Sequence, residues 1–262
     1  MANIAKVNDF KQLINTQDMF GRAKAACGTK EAARQFMASM LDLYESDSYL
    51  QGCDPIKVAI ECYKAASLNL PLVKSLGYAY VVPYKNVPTF IIGYKGYIQL
   101  ALRSGQYKCI NADCIYEGEE ITVDRLRGTF TIGGQKTGNK AIGYFAYFQL
   151  INGFERTHYM TVEQIQEYAK KYSKAYNSGP WQTEFDAMAK KTVLRQLLKY
   201  GPMSTEMQKA ESMELQAAQN AARAEIDSSA NQTVIDIDPI EVDEETGEIT
   251  GTAPQEIGEP DF

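Results

Sequence analysis

The chain has 262 residues, 45% of them hydrophobic and 23% charged, which is apolar material enough for one substantial core or two small ones. No uninterrupted apolar run reaches membrane-spanning length, the N-terminus lacks the order of a secretory signal, and the five cysteines (Cys27, Cys53, Cys62, Cys109, Cys114) form no CxxC pair. A cytoplasmic protein with reduced thiols, no disulfide framework and no zinc site is therefore expected. The net charge of −6 conceals a segregation: residues 1–210 carry 26 Lys and Arg against 19 Asp and Glu, and residues 211–262 carry 1 against 14. A body of +7 followed by a segment of −13 is the asymmetry of a protein whose body meets a polyanion, or of a body with a solubilising tail.

Residues 1–30 have few large apolar side chains and no clean period, so a loose helix or unordered arm is expected, free to order against a neighbouring subunit. From Glu31 the pattern changes, since Phe36, Met37, Met40, Leu41, Leu43 and Tyr44 recur at helical spacing and predict an amphipathic helix to about Ser46. Asp54 as N-cap and Pro55 at the first helical position predict a second helix to about Leu68. Runs at 78–82 and 88–92 read as a hairpin, followed by a helix over 94–104. Strands are expected at 107–116, 119–124, 128–132, 140–150 and 154–160, forming an antiparallel meander. Helical periodicity returns over 161–172 and again over 181–200, where Gly201 and Pro202 stop it. The fold class is thus α+β: antiparallel meander and hairpins with packed helices. It comprises an N-terminal arm at 1–30, a core at 31–210 and an acidic flexible tail at 211–262.

Two basic stripes stand out. At 100° per residue, Lys95, Gln99 and Arg103 share one side of their helix. That helix opens at Gly93-Tyr94-Lys95-Gly96, whose small residues would let a phosphate approach the free N–H groups; an ordinary solvated face with a glycine turn fits equally well. In the later helix Lys191, Arg195 and Lys199 recur at i, i+4 and i+8 between apolar flanks of Leu194, Leu197 and Leu198 on one side and Phe185, Ala189 and Val193 on the other. Stacked like charges in so narrow a slot repel unless an anion sits opposite, and their rise of ~6 Å per step suits the phosphates of a stretched strand. Lys190 projects elsewhere. The loop from 170 to 181 interleaves Lys170, Lys171 and Lys174 with Tyr172, Tyr176 and Trp181, a pattern suited to unpaired bases, although a lone Trp is more often a packing residue.

Enzymatic chemistry is poorly represented. His158 is the sole histidine, and the run from Gly133 to Gly138 outwardly resembles a phosphate loop but lacks its leading glycine and its following helix. Asp113, Glu117, Glu119, Glu120 and Asp124 offer a metal-dependent nuclease as the alternative from another class, against the simpler reading of solvated carboxylates around a hairpin at Gly118. No catalytic residue and no metal ligand is singled out.

Four segments in order resemble the RecT family of phage and prophage single-strand annealing proteins: Gly52-Cys53-Asp54-Pro55; Leu76-Gly77-Tyr78-Ala79-Tyr80 with Val81-Val82-Pro83-Tyr84; Ile91 through Gln106; and Gly179-Pro180-Trp181 followed by Met188-Ala189-Lys190-Lys191-Thr192. The resemblance spans roughly residues 50–202. It implies a β-β-β-α type core related to that of eukaryotic annealing proteins, assembly into rings or helical filaments, and no use of ATP, with Mg2+ only as a DNA counterion. It implies single-stranded DNA and an annealed duplex intermediate as partners, a phage exonuclease and the host single-strand-binding protein as associates, and a place in the bacterial cytoplasm. Carried onto this chain, the matching basic positions are Lys95, Arg103, Lys190, Lys191 and Arg195. With the stripes and the loop, the expected DNA contacts are Lys95, Gln99, Arg103, Lys190, Lys191, Arg195 and Lys199, with Tyr94, Tyr97, Lys171 and Lys174. A passive single-strand coat and an RNA chaperone use the same features and stay open. The end Glu259-Pro260-Asp261-Phe262 is similar to the acidic, Phe-terminated tip of bacterial single-strand-binding proteins, so the tail is expected to compete for a basic pocket or shield the groove.

Overall fold

The computed structural model describes residues 2–230 except 85, 174, 175 and 178. Four helices lead: α1 (Ala2–Ile14), α2 (Gln17–Cys27), α3 (Lys30–Ser46) and α4 (Pro55–Ser67). The Asp54 carboxylate accepts from the Ile56 and Lys57 amides and Pro55 opens the helix, as the sequence predicts. Residues 1–30 depart from expectation. Their few apolar side chains are placed where they count, with Phe10, Ile14, Met19 and Ala23 buried and the Phe10 ring stacked on Tyr44 at 4.0 Å between centroids. This segment is part of the helical core, because a handful of well-spaced anchors suffices when a ready-made apolar face lies opposite.

An antiparallel ribbon of β1 (Ala79–Tyr84) and β2 (Val87–Ile92) packs on α4, and α5 (Tyr94–Arg103) follows. The outward amides of β2 do not go unmet: the Phe90 N–H donates to Glu61 and the Ile92 N–H to Glu214. Two carboxylates therefore blunt a sheet edge that would otherwise recruit another strand.

The meander is corrected to a sheet with an inserted hairpin. β3 (Tyr107–Tyr116) pairs with β6 (Ala141–Leu150), which pairs with β7 (Glu155–Thr161), all antiparallel, while β4 (Glu119–Asp124) and β5 (Thr129–Gly134) pair only with each other. Length and burial explain the choice. The ten-residue β3 matches the ten-residue β6, whose Tyr144, Ala146, Phe148 and Leu150 alternate into the core, whereas β4 and β5 expose too many residues to sit in a buried sheet. Phe130 of the hairpin folds back edge-on against Phe145.

α6 (Val162–Tyr172) starts in a capping box of Thr161 and Gln164. The single helix expected over 181–200 is two: a turn, α7 (Pro180–Thr183), and α8 (Phe185–Leu198), broken where Glu184 leaves the helical region at φ −138°, ψ 48°. The break lets Trp181, 6% exposed, pack between Tyr176 and Phe185. α8 lies across β6, β7 and β3. The helical run ends ahead of Gly201 and Pro202, where the buried Tyr107 hydroxyl, its pKa pushed up to about 12 by desolvation, donates to the Pro202 carbonyl. Then comes α9 (Thr205–Ala230), so the expected tail boundary at 211 falls within a helix. Its residues up to Asn220 belong to one compact unit with everything before them, and Met207 and Ala210 are buried there. Most of the acidic segment, including Glu259 to Phe262, lies outside the described residues.

Candidate nucleic-acid interface

The start of α5 is the first element to place. Gly93 and Gly96 are small for an internal reason. A Cβ at Gly93 would collide with the Gly77 carbonyl and one at Gly96 with the Tyr78 carbonyl, and the Gly93 N–H donates to Tyr78 at 2.9 Å. The glycines therefore seat the helix against the segment before β1, which replaces the phosphate-approach explanation. Along the helix, Lys95 is exposed and Gln99 half-buried. Arg103 is exposed in part, but its guanidinium donates to the Leu68 and Asn69 carbonyls at 2.8 and 2.7 Å, where it closes the C-terminal end of α4. Tyr97 is 1% exposed, so its ring is core and not a stacking platform.

The α8 stripe splits. Lys191 is 7% exposed, and its ammonium lies 2.6 Å from Glu214 on α9. Arg195 meets Glu211 through its Nε and Nη2, at 3.0 and 2.7 Å, and reaches Glu214 at 3.3 Å. Something anionic does sit opposite the stacked charges, as repulsion demands, and it is supplied by this chain. Burial penalises the Glu214 carboxylate, but Lys191 and Arg195 outweigh it and hold its carboxyl below the usual range. Burial also pulls the Lys191 ammonium down, more than Glu214 restores. Burial works against the Arg195 guanidinium too, but its bonds to Glu211 and the nearby Glu214 hold its pKa above the ordinary value. At the far end of the stripe Lys199 is exposed and donates to Gln196.

Lys190, one residue from Lys191, faces the other way. It pairs with the half-exposed Asp113 at 2.8 Å and its ammonium stands 5.9 Å from the Tyr94 ring centroid. Nearby, Lys136 caps the Tyr116 ring at 3.4 Å. Lys95, Lys190, Tyr94, Tyr116 and Lys136 are all solvent-accessible to some degree. In the loop, Lys171 lies 5.3 Å from the exposed Tyr172 ring; Lys174 lies outside the described residues.

The nuclease carboxylates are dispersed in purpose. Asp113 binds Lys190, Glu117 faces Lys140, Glu119 accepts from the Tyr116 amide and Asp124 caps the 124–128 turn. Among the described residues no three His, Cys, Asp or Glu gather as a metal site. The loop at 135–138 closes on the β3–β4 turn through Thr137, which donates to Glu117. His158 is desolvated and flanked by Arg156 and Lys199, which together lower its pKa.

Sequence reasoning chose the stripe but missed Glu211 and Glu214, because a charge count assigned them to a tail. The signal available was Met207 and Ala210, which share with Glu214 one face of a continuing helix.

A basic body with solvent-accessible cation and ring pairs has the form expected of a nucleic-acid-binding protein. The sequence profile of the RecT family matches residues 34–230. The chain is 43% identical over 237 residues to a Bacillus subtilis (strain 168) protein named "Uncharacterized protein YqaK", covering 89% of this chain and 81% of that one. It is 32% identical over 220 residues to "Protein RecT" of Escherichia coli (strain K12), covering 80% and 81% respectively. The chain belongs to the RecT family. Membership implies a single-strand annealing protein of DNA recombination that binds single-stranded DNA, in a family whose annealing proteins are generally not catalysts. No described helix is long and apolar enough to cross a membrane.

Proposed function

We propose that this chain pairs complementary DNA strands without ATP in phage homologous recombination, holding one strand by its phosphates while its bases stay open to a second. Family membership over most of the chain carries the reading. Lys95 and Lys190 take the first phosphates, and Tyr94 provides a ring beside Lys190; an exposed Lys95 and a half-buried, solvent-accessible Lys190 and Tyr94 where α5 meets α8 support this choice. Gln99, one turn further along α5, extends the path; Lys199, half a turn round α8 from Lys190, and Lys171, at the end of α6, offer separate contacts. Subunits assemble into a ring or filament, and the protein works beside a phage exonuclease and the host single-strand-binding protein.

The test is the rate at which two complementary labelled oligonucleotides pair without nucleotide. Acceleration by the protein, with the strands intact after incubation in magnesium or manganese, is the expected result. Binding without acceleration would leave a passive coat; cleavage would revive the carboxylate alternative.

A further inference from the structure

The inner half of the α8 stripe is built like an anion site but is closed. Lys191 and Arg195 are separated by one helical turn, ~6 Å of rise, and Glu211 and Glu214 answer them from successive positions on one face of α9. Two cations and two carboxylates balance, and the Ile92 amide adds a third donor to Glu214. Such a cluster cannot simply open, since an unpartnered buried cation is costly; it can only exchange one anion for another.

Exchange is feasible at this place. Arg195 and Glu211 have about a third of their side chains exposed, so the cluster reaches solvent at that end. The fully buried apolar anchors of α9 are Met207 and Ala210, near its start, while Leu215 beyond the glutamates is 61% exposed. The helix is joined to α8 through the irregular residues 201–204, which contain Gly201 and Pro202. The turn that bears the carboxylates is held by charge and by the half-buried Met213, and competing anions act first at its part-exposed Arg195–Glu211 end.

We propose that the Lys191–Arg195 face is a second phosphodiester-binding surface, and that the backbone of a single strand and the Glu211/Glu214 turn of α9 are its alternative occupants. The inference rests on the single-strand-binding reading above. In a free subunit α9 keeps the face from adventitious polyanions; a strand engaged at Lys95 and Lys190 reaches it by crossing one turn of α5, from Tyr94 beside Lys190 to Tyr97 beside Lys191 and Arg195, and displaces the helix. Each phosphate replaces one carboxylate, and the Ile92 amide passes from one oxygen acceptor to the other.

The experiment uses the full chain and labelled oligothymidylate at low salt. Affinity is measured for wild type, Glu211→Gln and Glu211→Gln/Glu214→Gln, with hydrogen exchange of α9 and of the Ile92 amide followed in wild type with and without the oligonucleotide. The double variant is expected to bind about tenfold tighter, the single variant less so, and the oligonucleotide to remove protection from residues 211–220 and Ile92. Variants that bind no tighter, or α9 protection unchanged when wild type is saturated, would overturn the exchange while leaving strand binding intact. Should the double variant fail to fold, the single variant and the wild-type exchange decide. If no protein binds the oligonucleotide, the strand-binding reading falls and the exchange with it.

Discussion

Lys190 and Lys191 are adjacent in sequence and differ in almost everything else. The Lys190 side chain is 20% exposed and pairs with an exposed carboxylate; the Lys191 side chain is 9% exposed and pairs with a buried one. Burial works against both ammonium ions, yet Asp113 and its neighbours raise the Lys190 pKa while the deeper burial of Lys191 leaves its own lowered. A 100° turn of helix is enough to separate a surface contact from a core ion pair. The difference teaches that a basic stripe read from sequence has an outer edge that can meet a ligand at once and an inner edge whose ligand is already present.

The comparison depends on α5 being seated where it is, so the largest effect is expected from Gly96→Ala. Its Cβ would strike the Tyr78 carbonyl and the Ile92 side chain, neither of which can retreat, and a loss of about 3 kcal/mol or more is expected in urea unfolding. Next, Lys191→Ala strands Glu214 with Arg195 alone and should cost about 3 kcal/mol, whereas Lys190→Ala should cost under about 1 kcal/mol, as exposed pairs do. Equal costs would erase the distinction.

A smaller effect comes from pH. Glu214 has a folded pKa below its unfolded value, so its contribution is present above about pH 4.3 and is lost as pH falls through the lowered folded value. Glu214→Gln should flatten the acid limb of stability, and an unchanged limb would show that the pair contributes nothing. The smallest thermodynamic effect concerns DNA: Lys190→Ala should lessen the salt dependence of single-strand binding by about one phosphate contact, a slope change of roughly 0.7.

Much of this was legible beforehand. Asp54-Pro55, the Thr161 start, the 78–92 hairpin and the stop at Gly201-Pro202 carry their signals within a few residues, and the structure has elements there, whereas Gly118 joins strands that do not pair with each other. Pairing that skips a hairpin, as β3 with β6 does, leaves no local mark; only the matched ten-residue lengths hint at it. The N-terminal helices were hidden because four anchors are too few to make a period. At the candidate site, spacing located the cations but not their counterions, since Arg103 finds carbonyls at the end of α4 and Arg195 finds the Glu211 carboxylate sixteen residues away on another helix. Tyr97 stands on the side of α5 away from Lys95 and Gln99 and is buried, as helical spacing indicates.

We propose that strands are first held at the outer edge. The most direct test is the nucleotide-free annealing rate of complementary oligonucleotides with Lys95→Ala/Lys190→Ala, whose stability should stay near that of wild type. Loss of most of the acceleration, recovered on lowering the salt, is the predicted result. A folded double variant that anneals as fast as wild type at every salt concentration would contradict it.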